Sequence, residues 1–397
     1  MGFSIESVEV LLLVAAVVAM VARRLRIPYS VGLVLAGITL AFMPFTPQVE
    51  LTKDLIFTAL LPPLIFEAAL YLHWKELRRD LPVLLLLASL GVLFSAGITA
   101  LGMHYIAAWP ASSALVFGVL IAATDPVSVI ATFKEAQVVG RVRLLVEAES
   151  LFNDGTAAVA FGIAVAFAAG HHTTPLAVAG TLLLTVGGSI LCGAAVAWAI
   201  LLIAGRTTDH LVEITFTTVA AYGSFLLAEH FHLSGVLATL TAGLMLGSLG
   251  ARGAISDKGR EAVQAFWEYA AFVSNSLVFL LIGLHVARQN FSAAWATAMI
   301  AIVVVLLGRA AAIYPTCLLF SRSALRVTSG QQHILFWGGL RGALALALAL
   351  GLPPDVPMRE EIIVTSFAVV AFSIFVQGLT MKPLLRRMGE LPPGPSC

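Results

Sequence analysis

Long runs of apolar residues, separated by short clusters of charged and turn-forming residues, fill almost the whole chain. A helix needs about 20 apolar residues to cross the roughly 30 Å hydrocarbon core of a bilayer. Thirteen runs reach or approach that length. They cover residues 5–22, 28–45, 54–73, 81–108, 112–133, 144–169, 174–203, 210–229, 234–250, 264–286, 292–320, 332–351 and 361–380. The pattern predicts an all-α integral membrane protein with about 13 transmembrane helices.

Composition supports this prediction and narrows the class of partner. Of 397 residues, 59% are hydrophobic and 11% are charged, whereas about a quarter of the residues in a soluble domain are charged. The net charge of +1 argues against nucleic acid as a partner. The three scattered cysteines, Cys192, Cys317 and Cys397, indicate neither a disulfide framework nor a metal cluster. We expect a lipid bilayer around the chain and no cofactor.

The distribution of basic residues predicts the orientation of the spans. Of the 23 lysines and arginines, 18 fall in alternate connections, three fall on the opposite side, and two lie within spans. Cytoplasmic loops carry the excess of basic residues. The amino terminus is therefore expected outside and the carboxyl terminus in the cytoplasm. The first run lacks a preceding basic segment, which favours a retained helix over a cleaved signal, and no soluble regulatory tail is expected.

The fifth and twelfth spans are each interrupted near their middle. The fifth contains Asp125-Pro126, and the twelfth contains Gly338-Gly339 and Gly342. Proline removes a backbone donor and glycine permits an unwound backbone, so both helices are expected to break within the membrane. The two spans are seven apart and therefore oppositely oriented, which is typical of inverted repeats in transporters. The alternative is that these residues only kink or pack the helices.

One helical face in the sixth span carries three oxygen-bearing side chains. Ser150, Asn153 and Asp154 occupy positions i, i+3 and i+4. Asp154 lies eleven residues past Arg143, which places it roughly 16 Å deep. Removal from water disfavours the charged form of a carboxylate, so Asp154 could hold a proton and release it to a competing cation. The alternative is a carboxylate paired only for packing.

Further ionisable residues within the spans have two readings each. Asp125 could bind a cation, directly or through water, beside the hydroxyl and freed carbonyl of Thr124, or it could cap the following half-helix. Arg341 could compensate half-helix dipoles or a second carboxylate. Glu67 lies about two turns from the cytoplasmic end of span 3, where it could guard the inner entrance or pair with a loop cation.

Arg309 lies in the middle of span 11, where a charge requires a partner of opposite sign. Glu149, beside Ser150, is the partner that we expect. We interpret this as a structural ion pair that orients span 6, not as a contact with the substrate.

Together these segments resemble the signatures of the monovalent cation:proton antiporters of the NhaP and NHE type. The matching segments are Pro62-Pro63-Leu64-Ile65-Phe66-Glu67-Ala68, Ala123-Thr124-Asp125-Pro126, Glu149-Ser150-Leu151-Phe152-Asn153-Asp154 and Gly338-Gly339-Leu340-Arg341-Gly342-Ala343. They occur in the expected order, and the resemblance extends from the first span to the last.

The resemblance implies a NhaA-like fold of two inverted six-helix repeats with crossed discontinuous helices 5 and 12. It implies a homodimer in the cell (inner) membrane whose dimerisation part, mainly helices 1–3 and 8–10, is linked by helix 7 at about 174–203 to a core of about 81–169 and 292–380. The core would move like an elevator. Exchange of Na⁺ or Li⁺ for H⁺ would occur at Asp154, with Asp125, Ser150, Thr124 and Asn153 contributing.

Members of this family that carry Asn-Asp, like Asn153-Asp154 here, resemble electroneutral exchangers, so one cation is expected per proton. A K⁺/H⁺ exchanger of the same family is an alternative. A cation channel is less favoured because no filter-like segment is evident. An intramembrane aspartyl protease could use Asp125 and Asp154 as a dyad, but the Gly-x-Gly-Asp arrangement is missing around both. We therefore expect a secondary transporter and not an enzyme.

Overall fold

This computed structural model describes residues 5–25, 27–43, 51–125, 129–130, 133, 138, 140–170, 174–205, 207–249, 255–289, 291 and 294–390. Within these residues the chain forms fourteen helices with described bounds, further helical residues at Val129, Ile130 and Phe133, and no strand. They are α1 (Ile5–Leu25), α2 (Tyr29–Ala41), α3 (Leu55–Tyr71), α4 (Trp74–Tyr105), α5 (Ala111–Leu120), α6 (Arg141–Ala168), α7 (Pro175–Ala204), α8 (His210–His230), α9 (Gly235–Leu249), α10 (Asp257–Arg288), α11 (Trp295–Leu319), α12 (Ser329–Gly338), α13 (Ala343–Leu350) and α14 (Arg359–Met388).

Every predicted span has a helix at its position, with α12 and α13 forming the two halves of the twelfth. In the described part of the chain, eight helical segments are long and apolar enough to cross a membrane. Four shorter apolar helices, α2, α3, α5 and α9, accompany them. The prediction of an all-α multi-pass membrane protein is confirmed.

Some helices are longer than their apolar runs predicted. The fourth was expected from residue 81 and begins at Trp74, and the tenth was expected from residue 264 and begins at Asp257. The thirteenth was expected to end near 380 and continues to Met388. The added turns are polar or amphipathic, so hydropathy does not detect them, although backbone hydrogen bonding continues through them.

Both expected interruptions occur. Helix α5 ends at Leu120 and the chain is non-helical from there to Asp125, while Pro126 lies outside the described residues. Helix α12 ends at Gly338, and α13 begins at Ala343 with Gly342 as its amino-terminal cap. The inverted symmetry of the two halves stays a prediction.

The most extensive helix contacts fall into two groups. In the first, α10 packs on α2 and α3, and α9 packs on α3, α7 and α8. In the second, α4 packs on α5 and α11, α6 packs on α4 and α5, and α14 packs on α11 and α13. Contacts between the groups are smaller, and they include α6 with α9 and α3 with α13. Both broken spans belong to the second group.

The first group includes a close backbone contact between α2 and α10. A Cβ atom added to Gly37 would overlap the carbonyl oxygen of Leu280, and one added to Gly283 would overlap that of Val34. Small residues let the backbones of membrane helices approach closely, and the close approach gains van der Waals contacts between the helices. The two glycines therefore set the distance between α2 and α10.

We expect Gly283→Ala to lower the melting temperature of the purified protein, because the added methyl group forces α2 and α10 apart at a cost of about 1–3 kcal/mol. Gly97→Ala is the matched control, since among the described residues no atom lies within 4 Å of a Cβ added there. Thermal unfolding in detergent measures the difference. Equal melting temperatures for the two variants would contradict the role given to Gly283.

Candidate functional site

Helix α6 carries a row of buried polar side chains. Glu149 and Ser150 are each 1% exposed, Asn153 is 2% exposed and Asp154 is 7% exposed. They follow one another at helical spacing, so the sequence of α6 alone directs them towards the interior of the second helix group. Helix α6 thus places two carboxylates, an amide and a hydroxyl beside the non-helical residues that follow α5.

Hydrogen bonds connect this row to the non-helical residues after α5. The Asn153 side-chain amide donates to the Ala122 carbonyl at 3.1 Å and to the Thr124 hydroxyl at 3.0 Å. The Thr124 hydroxyl donates to the Ser150 hydroxyl at 3.2 Å. Hydrogen bonds therefore connect Thr124, Ser150 and Asn153, and Asp154 follows Asn153 directly on α6 with its carboxylate near the Thr124 backbone. These four predicted site residues form one cluster.

Two oxygens of this cluster have unused acceptor capacity. Among the described residues, neither Oδ1 of Asp154 nor Oδ1 of Asn153 has a hydrogen-bond partner, and both are buried. A buried acceptor without a partner is costly. These oxygens are suited to receive a hydrogen ion, a water molecule or a hard cation.

The two interruptions meet each other beside this cluster. The Asp125 backbone amide donates to the Leu340 carbonyl at 2.7 Å. A Cβ atom added to Gly342 would overlap the Asp125 carboxylate, which therefore lies at the amino-terminal end of α13. The positive end of that helix dipole favours an anion there. Sequence reasoning had offered a capping role within the fifth span, whereas the adjacent helix end described here belongs to the twelfth.

Two buried arginines donate to carbonyls near the carboxyl ends of the two amino-terminal half-helices. Arg341, 2% exposed, donates to the carbonyls of Ala122 and Ala123 at 3.1 and 3.3 Å, just past the end of α5. Arg309 donates to the Leu335 carbonyl in α12 at 2.9 Å. Of the two readings offered for Arg341, these contacts agree with dipole compensation, because a cation is favourable at a helix carboxyl end.

Arg309 also forms a bidentate ion pair with Glu149. Its two terminal nitrogens lie 2.7 and 2.9 Å from the two carboxylate oxygens, and the side chains are 6% and 1% exposed. A fork of two parallel charge-assisted bonds balances both charges where water is excluded, while the Arg309 Nε has no hydrogen-bond partner among the described residues. Both carboxylate oxygens of Glu149 therefore accept bonds from Arg309. Asp154, in contrast, has a carboxylate oxygen with unused acceptor capacity.

A cavity of about 480 Å³ extends from the buried site to the molecular surface. It is bounded on one side by the first helix group and on the other by the second, and Arg23 at its outer end is exposed. Its charged and polar lining residues are Arg23, Tyr29, Ser30, Glu67, Asp125, Asp154, Glu268 and Asn275. Glu67 thus lines the route to Asp154, as its position in the third span suggested, although its role stays a prediction.

Sequence reasoning missed two buried polar residues of the second helix group. Asp80, 2% exposed, accepts two bonds from Arg141 at 3.0 and 2.6 Å, and Arg141 also donates to the Leu325 and Arg326 carbonyls. Asp80 shares its face with buried Leu77 and Leu84 at positions i−3 and i+4, and this spacing could have revealed it.

The hydroxyl of Ser373 was missed as well. It accepts a bond from the Arg341 backbone amide at 2.8 Å. Ser373 is also the first residue of a π-helical segment in α14, Ser373–Gly378. No signal in the sequence marks such a turn.

Comparison with known proteins identifies the family of this chain. Residues 10–387 match the family model described as sodium/hydrogen exchanger, transmembrane. The chain belongs to the sodium/hydrogen exchanger family. It is 39% identical over 368 residues to the Na(+)/H(+) antiporter ApNhaP of Aphanothece halophytica, covering 92% of this chain and 70% of that one.

Two further alignments, one with a relative and one with a solved structure, extend over nearly the whole length of both chains. The Na(+)/H(+) antiporter NhaH of Halobacillus aidingensis is 34% identical over 405 residues, covering 98% of this chain and 99% of its own. The sodium proton antiporter MjNhaP1 of Methanocaldococcus jannaschii, solved at pH 8, has a TM-score of 0.77 at 20% identity, covering 97% of this chain and 98% of that chain. The fold of this exchanger is therefore the fold of MjNhaP1, and the resemblance to the NhaP type is confirmed.

The ion pair yields a test of stability. We expect Arg309→Met to destabilise the exchanger by about 3–5 kcal/mol, because it leaves the Glu149 carboxylate buried without a partner. The double variant Glu149→Gln/Arg309→Met should recover part of that loss. Melting temperatures in detergent measure both, with exposed Arg322→Met as the control. A double variant less stable than Arg309→Met would contradict the pairing argument.

Proposed function

We propose that this protein is a secondary active antiporter that exchanges Na⁺ or Li⁺ for H⁺, with the two ions competing for Asp154. The observation that carries the proposal is the buried Asp154 carboxylate, whose Oδ1 has no partner among the described residues and which lines a cavity that reaches the surface. Membership of the exchanger family and the Na(+)/H(+) antiport activity for which the relatives are named support it.

The chemistry of the surrounding atoms supports competition. A monovalent hard cation prefers oxygen ligands, and carboxylate, amide and hydroxyl oxygens of Asp154, Asn153, Ser150 and Thr124 lie in one cluster. Asp125 is the additional ligand that we propose, directly or through water. A proton and a cation cannot both neutralise one carboxylate, so the site releases one when it takes the other.

The charges of α6 support an electroneutral exchange of one cation for one proton. Asn153 is neutral, and the charge of Glu149 is balanced by Arg309. Asp125 lies at the amino-terminal end of α13, where its negative charge is favoured, and in this proposal it keeps that charge throughout the exchange. One carboxylate, Asp154, then remains to change partner, and the total charge of the loaded site stays the same.

We further propose alternating access by an elevator-like movement of the second helix group against the first. The smaller contacts between the groups support this, because less packing must be exchanged when they slide. The cavity between them reaches Arg23. The distribution of basic residues along the chain predicts that Arg23 is cytoplasmic. In this arrangement the site faces the cytoplasm, and Glu67 lies on the entry route.

In this proposal the protein is a homodimer in the cell membrane, with its amino terminus outside and its carboxyl terminus in the cytoplasm. The first helix group forms the dimerisation part and α7 links it to the core. Large apolar side chains on α1 and α7 support a lipid-facing or subunit-facing surface there, since Leu13, Met20, Leu183 and Leu191 are exposed.

We expect Asp154→Asn to abolish cation-driven proton movement in proteoliposomes, because the amide keeps the volume but has no exchangeable proton. The control is Asp257→Asn, the same change at a side chain that is fully exposed, and it should retain wild-type exchange. A dye for internal pH reports the response to Na⁺, Li⁺ and K⁺ in parallel. Exchange that persists in Asp154→Asn would refute the site, and a response to K⁺ with none to Na⁺ or Li⁺ would refute the proposed substrate.

Stoichiometry has a separate test. For one-for-one exchange, a membrane potential imposed with a potassium ionophore should change neither the initial rate nor the final proton gradient, since no net charge crosses the membrane. The same vesicles without the ionophore are the control. A final gradient that follows the imposed potential would show that unequal charges are exchanged.

A further inference from the structure

A large apolar groove lies between the two helix groups, away from the proposed ion route. Its volume is about 1130 Å³. Leu85, Val92 and Phe152 line it from α4 and α6, and Leu182, Ile190 and Leu240 line it from α7 and α9. Several lining side chains remain exposed, including Leu93 at 62% and Leu183 at 76%. In a membrane this groove therefore opens to hydrocarbon.

One end of the groove has a different chemistry. Trp74 and Ser248 line that end, and the Trp74 backbone amide donates to the Ser248 hydroxyl at 3.4 Å. Tryptophan is enriched at the level of lipid headgroups. Arg78 lies four residues after Trp74 and three before the groove-lining Leu81, so helical spacing places it on the same face of α4.

Lys75 and Arg79 are exposed in the same two turns of α4 as Arg78, and Glu76 is the exposed acid among them, so basic charge predominates near this end of the groove. Clusters of basic residues at the end of a membrane helix attract anionic headgroups. Along α4 the groove extends from Trp74 to Leu93, roughly 28 Å at 1.5 Å per residue. An acyl chain from one leaflet needs about half of the ~30 Å hydrocarbon core, so the groove is long enough to hold it.

We infer that this groove is a binding site for an anionic phospholipid, whose headgroup contacts Arg78 and Lys75 and whose acyl chain lies between the two helix groups. The charge at the mouth selects an anionic headgroup over a zwitterionic one. The apolar walls fit a hydrocarbon chain and offer few partners to a peptide backbone, which would leave polar groups unsatisfied at that depth.

The position of the site gives the lipid a role that rests on the proposed function. Helices α4, α5 and α6 on one wall belong to the helix group that would move, and α7 and α9 on the other wall belong to the group that would stay. A bound chain fills the space between them and must rearrange when they slide. Binding itself depends only on the groove and its charges.

Native mass spectrometry of the purified protein tests the inference, with phosphatidylglycerol and phosphatidylcholine added in equal amounts. We expect retained phosphatidylglycerol on the wild-type protein. Lys75→Gln/Arg78→Gln should weaken it roughly 30-fold, since each basic residue near the surface contributes about 1 kcal/mol. The control, Arg386→Gln/Arg387→Gln, removes two exposed charges from the end of α14 and should bind as wild type does.

A second pair of variants tests the groove itself. Ala160 lines it, so Ala160→Phe should reduce bound phosphatidylglycerol by excluding the chain, whereas Ala296→Phe, on an exposed position of α11, should not. Equal retention of the two lipids, or unchanged binding in Ala160→Phe, would overturn the proposal. Asp154→Asn should bind lipid as the wild type does, so a failure of the transport proposal leaves this readout intact.

Discussion

The bilayer offers no hydrogen bonds to a broken helix, and the structure depends on how the two interruptions satisfy one another. An unpaired backbone group in hydrocarbon costs several kcal/mol, and each interrupted span frees several. The Asp125 amide bonds the Leu340 carbonyl, and Arg341 from the second break bonds the carbonyls of Ala122 and Ala123 at the first. Each break is therefore stable because the other is present.

This mutual arrangement explains why so much charge can be buried in one place. Arg341 and Arg309 donate to carbonyls near the carboxyl ends of two half-helices, and Asp125 lies at the amino-terminal end of α13. The charge of each side chain therefore offsets the helix dipole beside it. Glu149 is balanced by Arg309. Against this background the unused acceptor capacity of Asp154 stands out, and a site for a mobile cation needs such an oxygen.

The sequence predicts the spans well because a helix that crosses the bilayer needs a long apolar run. It predicts their ends poorly, because polar turns such as Trp74–Asp80 continue a helix beyond the hydrocarbon. Counting residues from Arg143 was enough to predict that Asp154 is removed from water, as its 7% exposure shows, and the cost of an unpaired mid-span charge was enough to pair Arg309 with Glu149. The carbonyl partners of Arg341 and the helix end beside Asp125 could not be predicted, because they exist only where two distant breaks meet in space.

Arg309 has a further consequence for how the protein can move. It belongs to α11, its carboxylate partner Glu149 belongs to α6, and its third bond goes to Leu335 in α12. The Arg309 side chain therefore links three helices of the second helix group. Separate tilting of any of these helices would break a charged contact in a medium of low dielectric constant. Large displacements are therefore cheapest when the whole group travels as a single block.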